Sequence, residues 1–232
     1  MENLLGARAL TPPPSSDGSC QFDLTAGKAD TVFFVLGMLD EYQGRNLIED
    51  DDRVEGFYCN EAETARLFRR YIALLAEEQS INPAVREETI QKCLVVYYSK
   101  PIASRLNSCY RYTMTDRSLA QGPDGTYRRT ANPSLRASGL FARRDGAGNG
   151  ATDDAVRRRA LSYLAGACAR YRRDDGFVFA NARDKATLVA DLLTALGCHD
   201  VRIESTTGTI PQSNRVRFEP TEEVSEWLRR QR

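Results

Sequence analysis

One stretch, Thr31-Val-Phe-Phe-Val-Leu-Gly-Met-Leu39, restricts the possible folds more than any other. Asp30 stands where an N-cap residue accepts a hydrogen bond from the first free backbone N–H groups, so the run reads as a helix. It is apolar nearly all round, and a helix of that kind has to be buried. Gly37 lies in its middle, at a cost of about 1 kcal/mol of helix propensity relative to alanine. A buried helix accepts that cost where a second backbone must approach closely. The run is the longest apolar stretch of the chain and falls far short of the roughly 20 residues that span a bilayer. No membrane partner is expected.

A second helix with a central glycine follows, Ala160-Leu-Ser-Tyr-Leu-Ala-Gly-Ala-Cys168. After each helix the same order of elements can be read. In the first half come a strand over Val54–Tyr58, an amphipathic helix over Ala62–Glu78, and a β-rich strand over Lys92–Tyr98. A short helix from Pro101 to Leu106 closes that half, with proline in its first turn. In the second half come a strand over Gly176–Ala180, a helix from Asp184 to Leu196 ended by Gly197, and a hairpin of Val201–Glu204 with Arg215–Phe218. A last helix runs from Thr221 to Leu228. Gly56-Phe57 in one half is echoed by Gly176-Phe177 in the other. The chain therefore divides into a tail over 1–28, with Pro12-Pro-Pro14, a first repeat over 29–106, a connecting loop over 107–153, and a second repeat over 154–232.

Charge sharpens the division. The 232 residues carry 32 basic and 32 acidic side chains. Residues 1–99 have a net charge of −8, residues 100–183 of +9, and residues 184–232 of −1. Such asymmetry points to a polyanion-facing middle or to two oppositely charged faces. The cations are mostly arginine, which suits bidentate phosphate contact. In the connecting loop Tyr110, Tyr112, Tyr127 and Phe141 alternate with Arg111, Arg128, Arg129 and Arg143, a mixture that fits either irregular RNA, where rings stack and arginines take phosphates, or a polar linker packed by its own aromatics.

The six cysteines have no metal-ligand spacing, and His199 is the single histidine. Cys59, Cys93 and Cys168 fall in apolar surroundings and read as buried thiols of an intracellular, reducing compartment, cytoplasmic or organellar, mitochondrial included. His199 reads as a helix C-terminal cap. No glycine-rich phosphate loop, nucleotide fingerprint or Ser-His-Asp set is present.

Tyr163-Leu-Ala-Gly-Ala167 and the repeated order of elements resemble the LAGLIDADG homing endonuclease family. The resemblance implies an α+β fold: two pseudo-symmetric αββαββα-type repeats form a saddle whose open face lies on nucleic acid. It also implies an acid five residues after each helix glycine, the two acids holding a divalent metal beside the scissile phosphates. Those positions are Tyr42 and Tyr171 here. Tyrosine is neutral at pH 7, and magnesium takes hard anionic oxygens. The catalytic pair is therefore expected to be lost, with no cofactor. Magnesium enters only if Asp40, Glu41, Asp174 or Asp175 supplies the acids. The second repeat also has too few residues before Asp184 for the family's first hairpin.

The expected function is RNA or DNA binding without cleavage, in a ribonucleoprotein such as an organellar ribosome with protein neighbours. Phosphate contacts are expected from Arg202, Arg215 and Arg217, helped by Arg170, Arg172 and Arg173, and from Arg128 and Arg129 of the loop. The alternatives are an active metal-dependent DNA endonuclease and a protein-interaction module without nucleic acid.

Overall fold

The computed structural model describes residues 29–40, 46–47, 52–90, 93–115, 119–121, 127–129, 134–138, 141, 153–173, 176–180, 182–206 and 212–229. The first half runs α1 (Thr31–Met38), β1 (Asn46–Leu47), β2 (Arg53–Tyr58), a 3-10 turn (Cys59–Glu61), α2 (Ala62–Glu78), β3 (Arg86–Ile90), β4 (Leu94–Tyr98) and α3 (Lys100–Asn107). A middle segment holds β5 (Arg111–Thr115), β6 (Leu119–Gln121), β7 (Tyr127–Arg129) and β8 (Ser134–Ser138). The second half runs α4 (Asp153–Tyr171), β9 (Arg172–Arg173), β10 (Gly176–Ala180), α5 (Arg183–Ala195), β11 (His199–Ser205), β12 (Ser213–Glu219) and α6 (Glu222–Arg229).

The two halves share one topology. The first forms an antiparallel sheet of order β2-β4-β3, and the second one of order β10-β12-β11 with β9 added beside β10. In each, the strand before the long helix (β2 or β10) pairs with the last strand, which pairs in turn with the strand after the long helix. The α+β repeat architecture thus stands on strand order as well as on sequence.

Helices α1 and α4 join the halves, and their glycines explain how. A Cβ on Gly37 would lie 2.0 Å from the Tyr163 carbonyl oxygen, and one on Gly166 would lie 1.9 Å from that of Phe34. Each glycine thus admits the backbone of the other helix. Asp30 caps α1 by accepting from the Phe33 N–H at 3.3 Å, and the Asp30 N–H donates to Ser162 Oγ of α4 at 2.9 Å. One apolar core runs unbroken through these helices, from Phe57, Phe68 and Tyr97 to Phe177, Phe179 and Val216.

Helices α2 and α5 end alike. The Cys198 N–H donates to the Leu193 carbonyl at 3.0 Å and the Gly197 N–H to that of Thr194 at 3.0 Å, with Gly197 at φ +81°. The Ile81 N–H donates to the Ala76 carbonyl at 2.8 Å and the Ser80 N–H to that of Glu77 at 3.2 Å, with Ser80 at φ +51°. Both are Schellman closures, and the left-handed position belongs to glycine. A Cβ there costs about 1–2 kcal/mol. Ser80→Gly is therefore expected to stabilise the chain by roughly 1 kcal/mol in urea denaturation. A neutral or destabilising result would refute this account of the helix end.

Several expectations need correcting. The stretch over 107–153 carries four short strands, and β8 pairs with both β1 and β5, tying it to the first half. Two of its aromatics serve the core: Tyr110 is buried, and Phe141 packs between Phe33 (5.3 Å) and Tyr163 (5.7 Å). The second repeat does have a first hairpin, because β9 needs only two residues to pair with β10. Cys59 and Cys93, expected as thiols, are joined by a disulfide, since antiparallel β2 and β4 bring them together just beyond the Tyr58–Leu94 pair. Cys168 and Cys198 are buried thiols, and Cys109 is a half-buried one. His199 is exposed and opens β11, the cap being supplied by Gly197.

Candidate nucleic-acid interface and the helix-end site

The C-terminal end of α1 leaves carbonyls without partners inside the helix. Two cations from the other half take them. Arg170, in the last turn of α4, donates Nη1 to the Met38 carbonyl at 3.0 Å. Lys185, on α5, donates Nζ to the Gly37 carbonyl at 2.7 Å and also to that of Leu39. The Tyr171 hydroxyl donates to the Met38 carbonyl at 3.3 Å. Positive charge at a helix C-terminus also meets the favourable end of the helix dipole.

The arginine reaches further. Its Nη2 donates to the Gly56 carbonyl at 3.0 Å, and its Nε to Glu61 Oε1 at 2.8 Å. Its Nη1 lies 3.5 Å from Glu55 Oε2, and its plane sits 4.5 Å over the Phe57 ring. One side chain thus links α4, α1, β2 and the 3-10 turn. Glu55 also accepts from the N–H groups of Gly56, at 2.7 Å, and of Asp40. Burial pushes the Glu55 carboxyl above its ordinary range, and Arg170 only partly offsets this. Burial works against the charged guanidinium of Arg170, but Glu55, Tyr171 and Glu61 outweigh it and hold its pKa above that of a free arginine. Burial also raises the Tyr171 phenol well above its usual value.

This arrangement bears on the metal that the family resemblance implies. Tyr42 lies outside the described residues. Tyr171 is buried, bonded to Met38 and packed 4.9 Å from Phe179. The described groups that meet at the helix ends are two cations with Asp40, Glu55 and Glu61. Arg170 engages Glu55 and Glu61, and no three metal-ligating side chains come together among the described residues, so these residues do not fit magnesium, and no step through it is derived. Of the alternative acids, Asp40 is exposed, and Glu41, Asp174 and Asp175 lie outside the described residues. Sequence reasoning missed Glu55, Glu61 and Lys185. Lys185 did carry a signal: with Val189, Leu192 and Leu193 it lies on the buried stripe of α5, where an unpaired cation is costly.

The arginines named from sequence separate into groups. Arg170 is a correction: at 8 % exposure, and held by two carboxylates and two carbonyls, it is not offered to a phosphate. Arg172 is half-buried, with Nη1 3.7 Å from Cys168 Sγ. Arg128 and Arg129 stand on β7 opposite Ala120 and Leu119, and their side chains lie outside the described residues. The other four share the open face of the second sheet. Arg173, Gly176, Arg217 and Arg202 form one row across β9, β10, β12 and β11. Val178, Arg215 and Glu204 form the next row on that face. Phe177, Phe179 and Val216 point the other way, into the core. Glu204 accepts from Arg217 at 2.9 Å and from Arg202 at 3.1 Å, and so orients both forks. Glu219 follows Arg217 on the same face of β12, and four arginines against two glutamates leave this face basic.

No family model matches the chain, and no curated protein matches it in sequence. Among solved structures it is similar to mesophilic variants from the homing endonuclease I-DmoI: 9% identity, TM-score 0.44, over 86% of this chain and 93% of that chain. It is also similar to a variant of I-DmoI in complex with its target DNA in the presence of 2 mM Mn: 9% identity, TM-score 0.43, over 80% of this chain and 86% of that one.

Proposed function

We propose that the chain is a nuclease-inactive, LAGLIDADG-like nucleic-acid-binding protein. In this reading it is an RNA-binding or structural component of a ribonucleoprotein such as an organellar ribosome. The observation that carries the reading is the basic open face of the second sheet, where Arg173, Arg202, Arg215 and Arg217 stand in register. Arginine forks in rows on a flat sheet suit the phosphates of a polyanion. Loss of cleavage is supported by the helix-end site, where Tyr171 occupies the second motif position and Arg170 engages the neighbouring acids Glu55 and Glu61. RNA is favoured by the basic and aromatic sequence between the halves.

The test is binding against salt concentration. Arg215→Glu with Arg217→Glu is expected to weaken RNA binding and to flatten log K against log [salt] by about two units, roughly one per phosphate contact. Binding and slope unchanged from wild type would overturn the reading in favour of a protein-interaction module. Plasmid nicking with magnesium or manganese tests the second half of the claim. Nicking that Asp40→Asn abolishes would establish an active endonuclease instead.

A further inference from the structure

The two open sheet faces are equivalent by topology but differ in chemistry. Aligning Gly56 with Gly176 sets the register. The row Gly56, Val96, Glu88 then corresponds to Gly176, Arg217, Arg202. The next row, Tyr58, Leu94, Ile90, corresponds to Val178, Arg215, Glu204. Where the second sheet has arginine, the first has valine and leucine. The remaining row of the first face is Arg53, Tyr98 and Arg86. Arg86 pairs with Glu88 and with Asp52 (3.6 Å), so the face has little net charge. A phosphate backbone laid evenly over both sheets would meet net positive charge on one and little on the other.

The first face instead offers flat surfaces. Tyr58 is 60 % exposed, more than any other large apolar or aromatic residue among those described. The Arg86 guanidinium lies 4.3 Å over the Tyr98 ring with half its side chain in solvent, so its outer plane is a second platform. Strand rise separates the two by about 14 Å, four residues along β4. Besides Tyr58, Ile90 is the exposed large apolar residue of this face, at 37 %. That is small beside the roughly 800 Å² per partner, with an apolar centre, of a stable protein interface. It is the right scale for one or two bases. Unpaired bases present π-faces to tyrosine rings and guanidinium planes and need no cation beneath them.

We propose that the first sheet is a stacking surface for unpaired bases, with Tyr58 and the Arg86–Tyr98 pair as its platforms. The arginines of the second sheet hold the phosphates of the same single strand. This rests on the nucleic-acid-binding reading above and narrows it to single-stranded substrate. The test is fluorescence anisotropy at fixed salt with labelled oligouridine and, separately, an RNA duplex of the same length. Tyr58→Ala is expected to weaken oligouridine binding roughly 5- to 100-fold and to leave duplex binding unchanged, while Tyr58→Phe retains wild-type affinity. An unchanged oligouridine affinity in Tyr58→Ala, or an equal loss on both probes, would overturn the proposal and leave the face to a protein partner. Wild-type binding to the duplex but not to oligouridine would overturn this proposal alone. Wild-type binding to neither would overturn the underlying reading as well. The exposure of Tyr58 keeps the variant's fold out of the comparison.

Discussion

Valine at Gly166 is expected to cost the chain at least about 3 kcal/mol, beyond the usual penalty for overpacking a core. The reason is what the new atoms would strike. A Cβ at Gly166 would stand 1.9 Å from the Phe34 carbonyl oxygen, 2.9 Å from its carbon and 3.1 Å from the Met38 nitrogen. All are backbone atoms of α1, and α1 is a buried helix with no surface to retreat into. A side chain that meets the tip of another can turn aside, but a helix that meets a carbonyl has to move whole. The reciprocal change at Gly37 meets the Tyr163 carbonyl oxygen at 2.0 Å and the Ala167 nitrogen at 2.8 Å, so it is expected to be as severe. Gly56→Ala is the control: its Cβ would meet the ends of Arg53 and Leu94 at 3.1 and 3.2 Å, and flexible tips give way. For a chain of this length, 3 kcal/mol corresponds to a fall of roughly 6–12 °C in Tm. Thermal denaturation that finds Gly166→Val within about 1 kcal/mol of wild type would mean that the two helices do not meet in this way.

The same two glycines show how much the sequence could reveal. An apolar run with glycine at its centre, repeated once and followed each time by similar elements, was enough to read the α+β repeat and the helix pairing. Periodicity placed α2 and α5 because their buried stripes recur at helical spacing, and Gly197 marked the end of α5 because a left-handed position favours glycine. What stayed hidden depends on distance across the fold. The two-residue strand β9 has no pattern of its own and exists only because β10 lies beside it. Cys59 and Cys93 are separated by 34 positions, and only the antiparallel register of β2 and β4 joins them. Arginine shows the limit most clearly. Composition treats every arginine as a phosphate ligand in waiting, yet Arg170 faces inward while Arg173, three residues later, stands on the open sheet. A helix turn separates the two destinations, and the partner that decides between them, Glu55, comes from a distant strand.

That partner sets the second large effect. Arg170→Met is expected to destabilise the chain by about 3–5 kcal/mol, the usual result of removing one member of a buried ion pair. The loss comes less from the missing attraction than from what is left behind. Glu55 would remain a buried carboxylate without a cation, and the carbonyls of Met38 and Gly56 would lose a donor each. Arg170→Met combined with Glu55→Gln removes the stranded charge and is expected to recover part of the deficit. The pH response separates the two effects. The folded Glu55 carboxyl lies above its reference value of 4.5. A carboxyl raised by folding binds its proton more tightly in the native state, so its contribution is fully present below the unfolded value and is lost as pH rises through the folded one. Without Arg170 the folded value rises further, because the charge that pulled it down is gone. Arg170→Met should therefore regain stability relative to wild type as pH falls from neutral toward that value, and the double variant should not. Urea denaturation at a series of pH values measures both. Parallel pH profiles for the single and double variants would show that Glu55 carries no charge for Arg170 to hold, and that the arginine binds the halves through the Met38 and Gly56 carbonyls and Glu61 alone.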